Sequence, residues 1–136
     1  SRLDEIQAGL LRIRLSHMEE LTQEKIAIAS RYTEGIHNPK IKLPQIPEGA
    51  TCVYHQYVIR CEERDRLIEY LNEKEIGTII HYPIPPHLAE AYRYLGHHEG
   101  DFPITEHLAK TVLSIPMYNG MTEEEQNVVI DALNRF

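Results

Sequence analysis

The first 36 residues constrain the fold most, because their apolar side chains recur at helical spacing. The apolar residues of this pattern are Leu3, Ile6, Leu10 and Ile13, and it continues through Leu15, Met18, Leu21, Ile28, Tyr32 and Ile36. Neither Gly nor Pro lies between residues 10 and 34 to interrupt this pattern. It predicts one long helix over residues 3–36, of about 50 Å at 1.5 Å per residue, so part of it would pack on polypeptide outside this sequence. The alternative is a helical hairpin that breaks near Ser16 and His17.

Short strands and helices follow once Asn38 and Pro39 end the helical stretch. We expect strands over residues 52–60, 78–82 and 112–115 and helices over 64–74, 87–95 and 106–110. Gly96 would close the second of these helices, and Thr122 with Glu125 forms a capping-box pattern ahead of a last helix. The sum is an α+β fold, with helices on a small, mainly antiparallel sheet. We expect a linking helix over residues 1–37 and a small domain over 38–136.

Composition excludes some classes of protein. Twenty-one Asp and Glu against 14 Lys and Arg give a formal charge of −7, which disfavours nucleic-acid binding. The sequence has no long uninterrupted apolar run of the kind that would predict a membrane span. Two cysteines and no leader pattern favour a reducing cytoplasm, and a start on Ser1 suggests that the chain was cut from a longer one.

The segment around residue 81 is the most informative for chemistry. His81 and Tyr82 end a predicted strand next to the stiff sequence PIPP and His87. Imidazole and phenol groups on a loop held by a rigid scaffold could bind sugar hydroxyls or phosphate oxygens. The alternative is that Tyr82 packs in the core and both histidines are solvated surface groups.

Other sequence patterns point away from familiar sites. Cys52 and Cys61 are nine residues apart, unlike the close pairs of structural zinc sites, so we expect no native metal site and buried cysteines. The chain has no nucleophile elbow and no phosphate-binding glycine loop. The charged cluster of Glu19, Glu20, Glu24 and Lys25 predicts a solvated helix face. These patterns alone describe a soluble α+β domain of undefined function.

Five segments, in order, resemble the DegT/DnrJ/EryC1/StrS family of sugar aminotransferases. They are SRLDEIQAGL at 1–10, YHQYVIR at 54–60, RDRL at 64–67, GTIIHYPIPPH at 77–87 and LSIPMY at 113–118. The resemblance implies the aspartate-aminotransferase type fold, in which a large domain upstream holds pyridoxal 5'-phosphate on a lysine. This chain would be the C-terminal part, joined by the long helix.

The resemblance also implies an activity for the parent protein. It would transfer an amino group from L-glutamate to a nucleoside-diphosphate-linked keto sugar, as a homodimer, with the cofactor as electron sink. Because the Schiff-base lysine lies upstream in the family, no lysine here inherits its role. We expect this chain alone to be inactive and to retain no cofactor.

Individual positions carry over from the family only where its motifs match. Arg2 matches a position near the cofactor, and His81 and Tyr82 match positions that line the sugar-nucleotide site. His87 matches less closely, the family's preceding Asn is missing, and Gly9 replaces the commoner Ala. The alternatives are a sugar dehydratase of the same family that uses the same cofactor, and a non-catalytic dimerisation or binding module.

Overall fold

The computed structural model describes residues 3–136, which form an α+β fold as predicted. The α-helices and strands in chain order are α1 Glu5–Ser16, α2 Met18–Gly35, β1 Tyr57–Arg60, α3 Arg64–Asn72, α4 Pro103–Thr111, β2 Val112–Ile115 and α5 Glu123–Asn134. Two 3₁₀ segments, Pro86–Leu88 and Glu90–Leu95, lie between α3 and α4. Among these residues, no helix combines the length and apolarity needed to cross a membrane.

The N-terminal stretch is two helices, so the prediction of a single long helix is wrong. His17 lies between them with φ −104° and ψ 4°, and its N–H donates to the carbonyls of Arg14 and Leu15. Asp4 starts α1 by accepting a 2.8 Å hydrogen bond from the N–H of Ile6. The interruption falls where the hairpin alternative placed it. No residue of Glu5–Ser16 is buried, however, so the close packing of a hairpin is not observed for this helix.

The sheet is smaller than predicted but antiparallel as predicted. β1 pairs with β2 in the register Tyr57↔Ile115 to Arg60↔Val112. Single bridges extend it on either side, where Lys42 pairs with Arg60 and Ile79 pairs with Ser114. The strand predicted over residues 52–60 begins only at position 57, because Tyr54 has a φ of 45° that interrupts extended backbone. The strand predicted over 78–82 is reduced to the Ile79 bridge, and Pro83 offers no N–H to continue it.

The core lies between this sheet and helices α2, α3 and α5. Its most buried large side chains are Tyr32, Tyr57, Ile59, Leu67, Leu71, Leu113 and Leu133, each 0% exposed. β1 alternates buried and half-buried residues, and Tyr57 and Ile59 lie on its buried face. The capping box of Thr122 and Glu125 at the start of α5 is confirmed.

Two helix predictions need new bounds. The helix expected over residues 87–95 is instead the pair of 3₁₀ segments, although Gly96 closes the second with φ 73° as expected. The helix expected over 106–110 begins earlier, because Pro103 fits the first turn of α4. The division into a linking helix over residues 1–37 and a domain over 38–136 stays a prediction.

Candidate functional site

His81 joins two side chains from distant parts of the chain. It follows the single bridge that holds Ile79 beside Ser114. Its Nδ1 lies 3.0 Å from Ser114 Oγ, and its Nε2 lies 3.0 Å from Nε2 of Gln56, which directly precedes β1. The Gln56 amide nitrogen can only donate, so His81 Nε2 accepts and its Nδ1–H donates to Ser114. Both ring nitrogens of His81 are therefore engaged within the chain.

A cavity of about 350 Å³ lies beside this cluster. Its lining includes Lys25, His55, Gln56, His81 and Ser114, together with Gly77, Thr78, Ile79, Ile115, Pro116 and Met117. Residues from α2, from the segment before β1, from the Ile79 bridge and from β2 thus meet at one place. The cavity combines an ammonium group, an amide, an imidazole and a hydroxyl, which is a set suited to a polar ligand.

Lys25 supplies the positive charge in this lining. Its Nζ donates to the His55 carbonyl at 3.1 Å, and it forms no ion pair within residues 3–136. Its neighbour Glu24 instead accepts from Asn119 Nδ2 at 2.7 Å and from the Gly120 N–H at 2.6 Å. Those two hydrogen bonds, first from Asn119 and then from Gly120, lower the pKa of Glu24. Of the four residues predicted to form a solvated helix face, Glu19 and Glu20 are exposed, whereas Glu24 and Lys25 are half-buried.

Tyr82 lies outside the 350 Å³ cavity. Its side chain is 77% exposed, so the alternative that it packs in the core is wrong. Its ring meets that of His81 edge-on at 5.7 Å between centroids. With His81 it borders a second cavity of about 330 Å³, which runs past Pro85 and Pro86 to α4. His81 therefore separates two adjoining cavities, and Tyr82 belongs to the second.

His87 is held against α4. Its side chain is 8% exposed, and its Nε2 lies 3.1 Å from Oε1 of Glu106, whose side chain is 10% exposed. Burial opposes ionisation of Glu106, but the N–H groups of Gly100 and Phe102 and the ring of His87 outweigh it and lower its pKa. His87 borders neither cavity described above, so the structure does not bring it together with His81 and Tyr82. Arg2 lies outside the described residues.

The described lysines do not offer a place where the cofactor could be attached. A Schiff-base lysine presents a desolvated amine to the cofactor. Lys40, Lys42 and Lys110 pair with Glu63, Glu62 and Glu99 on the surface, Lys74 lies over the ring of Tyr70, and Lys25 donates to a backbone carbonyl. Residues 3–136 therefore do not by themselves fit pyridoxal phosphate.

The cysteines are placed differently from each other. Cys61 is 2% exposed, as expected for a small core residue, and burial raises the pKa of its thiol. Cys52 is half-buried, and neither forms a disulfide. Within residues 3–136 no three His, Cys, Asp or Glu side chains are grouped as metal ligands, and the metal expectation stays a prediction.

Three residues of the cavity were not predicted to be functional. Gln56 and Ser114 lie in segments that resemble the family, but they are 25 and 33 residues from His81 in sequence. The acidic neighbours of Lys25 in sequence predict a solvated helix face for it. The resemblance of residues 54–60 and 113–118 was the available signal for Gln56 and Ser114, and no local signal marked Lys25.

The chain belongs to the DegT/DnrJ/EryC1/StrS aminotransferase family, whose family model matches residues 1–134. It is 42% identical over 136 residues to the dTDP-3-amino-3,6-dideoxy-alpha-D-galactopyranose transaminase of Aneurinibacillus thermoaerophilus. That match includes all of this chain and 37% of the relative, so the chain spans little more than a third of the relative's length. The family resemblance of the sequence is confirmed.

Solved structures agree on the fold. The crystal structure of S. venezuelae DesV superposes with a TM-score of 0.95 at 38% identity, over 98% of this chain and 36% of DesV. NtdA from Bacillus subtilis, solved with bound cofactor PMP, superposes with a TM-score of 0.86 at 26% identity, over 98% of this chain and 32% of NtdA. The predicted fold class is confirmed, and the chain has the architecture of the corresponding third of these proteins.

Proposed function

We propose that this chain is the C-terminal part of a pyridoxal-phosphate-dependent aminotransferase that moves an amino group from L-glutamate to a nucleoside-diphosphate-linked keto sugar. The observation that carries the proposal is the match of residues 1–134 to the aminotransferase family, together with 42% identity to a dTDP-sugar transaminase. NtdA, which has the same fold over this third, holds the amino form of the cofactor. Bound to the parent protein, pyridoxal phosphate would supply the electron sink for amino-group transfer.

The role of this chain in that reaction is to bind and orient the sugar substrate. The 350 Å³ cavity provides hydrogen-bonding groups on a rigid framework, since Ser114 lies on β2 and His81 is fixed at both nitrogens. The exposed phenol of Tyr82 lies one residue further along, where it is free to contact a ligand that extends past His81. We place the cofactor itself on residues outside 3–136, with Arg2 next to it.

The parent protein is proposed to be a homodimer. The support is the surface of α1, whose large apolar side chains are exposed: Ile6, Leu10, Leu11, Ile13 and Leu15 are between 52% and 77% accessible. Exposed apolar side chains of this number are expected to pack against further polypeptide, and we propose that the partner subunit provides it. Sedimentation of the complete protein should give a dimer, and a monomer that persists on dilution would contradict this.

Product analysis tests the proposed reaction. The complete protein is incubated with pyridoxal phosphate, L-glutamate and a dTDP-linked 3-keto sugar, and the products are separated by mass. An aminotransferase yields an amino sugar nucleotide and 2-oxoglutarate in equal amounts. A dehydratase yields a sugar nucleotide lighter by one water, and a binding module leaves both substrates unchanged.

Substitutions at His81 and Tyr82 test the substrate-binding role. We expect His81→Asn to raise the KM for the sugar nucleotide, because it disturbs the Gln56 and Ser114 side chains that His81 holds in the cavity wall. Tyr82→Phe should raise KM as well, because it removes the exposed hydroxyl that is proposed to contact the substrate. Tyr94→Phe, also an exposed tyrosine at 79%, is the matched control and should leave KM unchanged. Unchanged kinetics in both His81→Asn and Tyr82→Phe would remove these residues from the site.

A further inference from the structure

Lys25 differs from the surface lysines of this chain. Lys40, Lys42 and Lys110 each lie within 4.0 Å of a glutamate carboxylate. Lys25 instead donates to the His55 carbonyl and lies in the lining of the 350 Å³ cavity, with no ion pair among residues 3–136. An ammonium group has three N–H donors, so two remain after the bond to His55. The chain has a net charge of −7, yet no carboxylate of the part that the structure describes pairs with this cation, which lies at a cavity.

The hydrogen bonds of His81 leave complementary groups on Gln56 and Ser114. Gln56 donates through its amide nitrogen, so its Oε1 stays an acceptor without a partner among residues 3–136. Ser114 accepts from His81 through Oγ, so its own O–H stays a donor. An acceptor and a donor in one cavity match a hydroxyl group, which can both donate and accept. Ser114 is only 6% exposed, so its orientation is fixed by the sheet.

We infer that this cavity binds the sugar phosphate portion of a nucleotide sugar, with Lys25 paired to a phosphate oxygen and Gln56 and Ser114 hydrogen-bonded to sugar hydroxyls. His81 is a positioning residue here, because it fixes the orientation of both hydrogen-bonding side chains and uses both of its nitrogens to do so. The identity of the ligand rests on the proposed function. That a cation, a hydrogen-bond acceptor and a hydrogen-bond donor line one cavity follows from the contacts alone.

Binding measurements on the complete protein test this site. The probes are dTDP-glucose and UDP-glucose, which carry no keto group to be aminated, and dTDP, which lacks the sugar. We expect Lys25→Met to weaken binding of all three by about tenfold or more, since it removes a charge-assisted hydrogen bond. Lys25→Arg should stay close to the unsubstituted protein. Lys110→Met removes the same charge at a surface position 70% exposed and should leave affinity unchanged.

The proposed contacts to the sugar are tested by comparing affinities for dTDP-glucose and dTDP. Ser114→Ala should weaken dTDP-glucose more than dTDP, because only the first carries the sugar hydroxyls. The Lys25 effect should shrink as ionic strength rises, whereas a loss of packing would not depend on salt. Circular dichroism of each variant reports whether the fold is kept, and Lys25→Arg separates loss of charge from loss of the side chain's packing.

Several results would overturn the inference. Equal affinity of Lys25→Met and the unsubstituted protein would do so, as would an equal loss in Lys110→Met. Failure of both nucleotide sugars to bind would do so as well. If the protein transfers no amino group but Lys25→Met still weakens dTDP-glucose binding, the proposed function fails and the site stands. If transfer occurs and Lys25→Met has no effect, the site fails and the function stands.

Discussion

Tyr32 provides the clearest test of how α2 is fixed to the domain that carries the cavity. It is 0% exposed, and its hydroxyl donates a 2.7 Å hydrogen bond to the carbonyl of Pro116, which is part of the cavity lining. Its ring meets Tyr57 edge-on at 5.2 Å between centroids. Tyr32→Phe keeps this ring contact and removes only the hydroxyl. The variant therefore removes the polar contacts between α2 and the segment after β2 that this hydroxyl makes, the bond to Pro116 and a longer contact of 3.5 Å with Met121 Sδ.

The expected loss of stability follows from the state of the Pro116 carbonyl. Removal of one partner leaves a partly buried acceptor without its hydrogen bond, which costs about 2 kcal/mol. The unfolding entropy of a 136-residue chain is about 0.29 kcal/mol/K, so the melting temperature should fall by about 7 °C. Tyr94→Phe, at a side chain 79% exposed, should change the free energy of unfolding by less than about 0.5 kcal/mol.

Urea unfolding followed by far-ultraviolet circular dichroism suits the measurement, because the chain has no Trp. The two midpoints are compared at constant m-value, so that a change in the denatured state is recognised. If Tyr32→Phe lowers the free energy of unfolding no more than Tyr94→Phe does, the hydrogen bond to Pro116 does not hold α2 in place. The assignment of Lys25 to the cavity would then lose its structural support.

The same residue makes stability depend on alkaline pH. Burial raises the pKa of Tyr32, and the nearby Tyr118 and Tyr57 add to the shift. A folded-state pKa above the unfolded value of about 10 means that the stabilisation is complete below pH 10 and is lost as pH rises further. The Tyr32→Phe variant lacks this titration. Its stability should therefore fall less steeply above pH 10 than that of the unsubstituted chain.

Two further predictions concern acid stability and helix packing. Because the pKa of Glu106 is lowered on folding, its contribution is present above pH 4.5 and lost as pH falls, so Glu106→Gln should flatten the acid side of the stability curve measured by circular dichroism. Gly35→Ala should destabilise the chain, since the added Cβ would lie 2.9 Å from Cδ1 of Ile130. Gly9→Ala meets nothing within 4 Å and should raise helix content, and an equal response of the two variants in thermal melts would refute the packing argument.

Local sequence signals located much of the fold. The capping box of Thr122 and Glu125 predicted the start of α5, because both partners lie within one helical turn. The apolar run ending at Ile115 predicted β2 with its observed bounds. Gly96 closed its segment in the left-handed conformation that glycine favours. In each case the residues that decide the structure are neighbours in sequence.

The predictions that failed depend on local backbone changes or on contacts between residues that are distant in sequence. The helical spacing of apolar residues continues across His17, although the backbone leaves the helical conformation there. Apolar periodicity does not reveal such a short interruption. Tyr54 has strong strand propensity but a positive φ, since tertiary packing overrides propensity. The pairing of His87 with Glu106 spans 19 residues, and that of His81 with Ser114 spans 33. The cavity could not be assembled from local patterns for the same reason.

The central claim is that the complete protein uses pyridoxal phosphate to accept an amino group from L-glutamate. The most direct measurement is its visible absorption spectrum after incubation with pyridoxal phosphate and then with L-glutamate. We predict a visible band from cofactor bound to a lysine, which bleaches on addition of L-glutamate as the cofactor takes up the amino group. A complete protein with no such band, or with a band that L-glutamate leaves unchanged, would contradict the assignment as an aminotransferase.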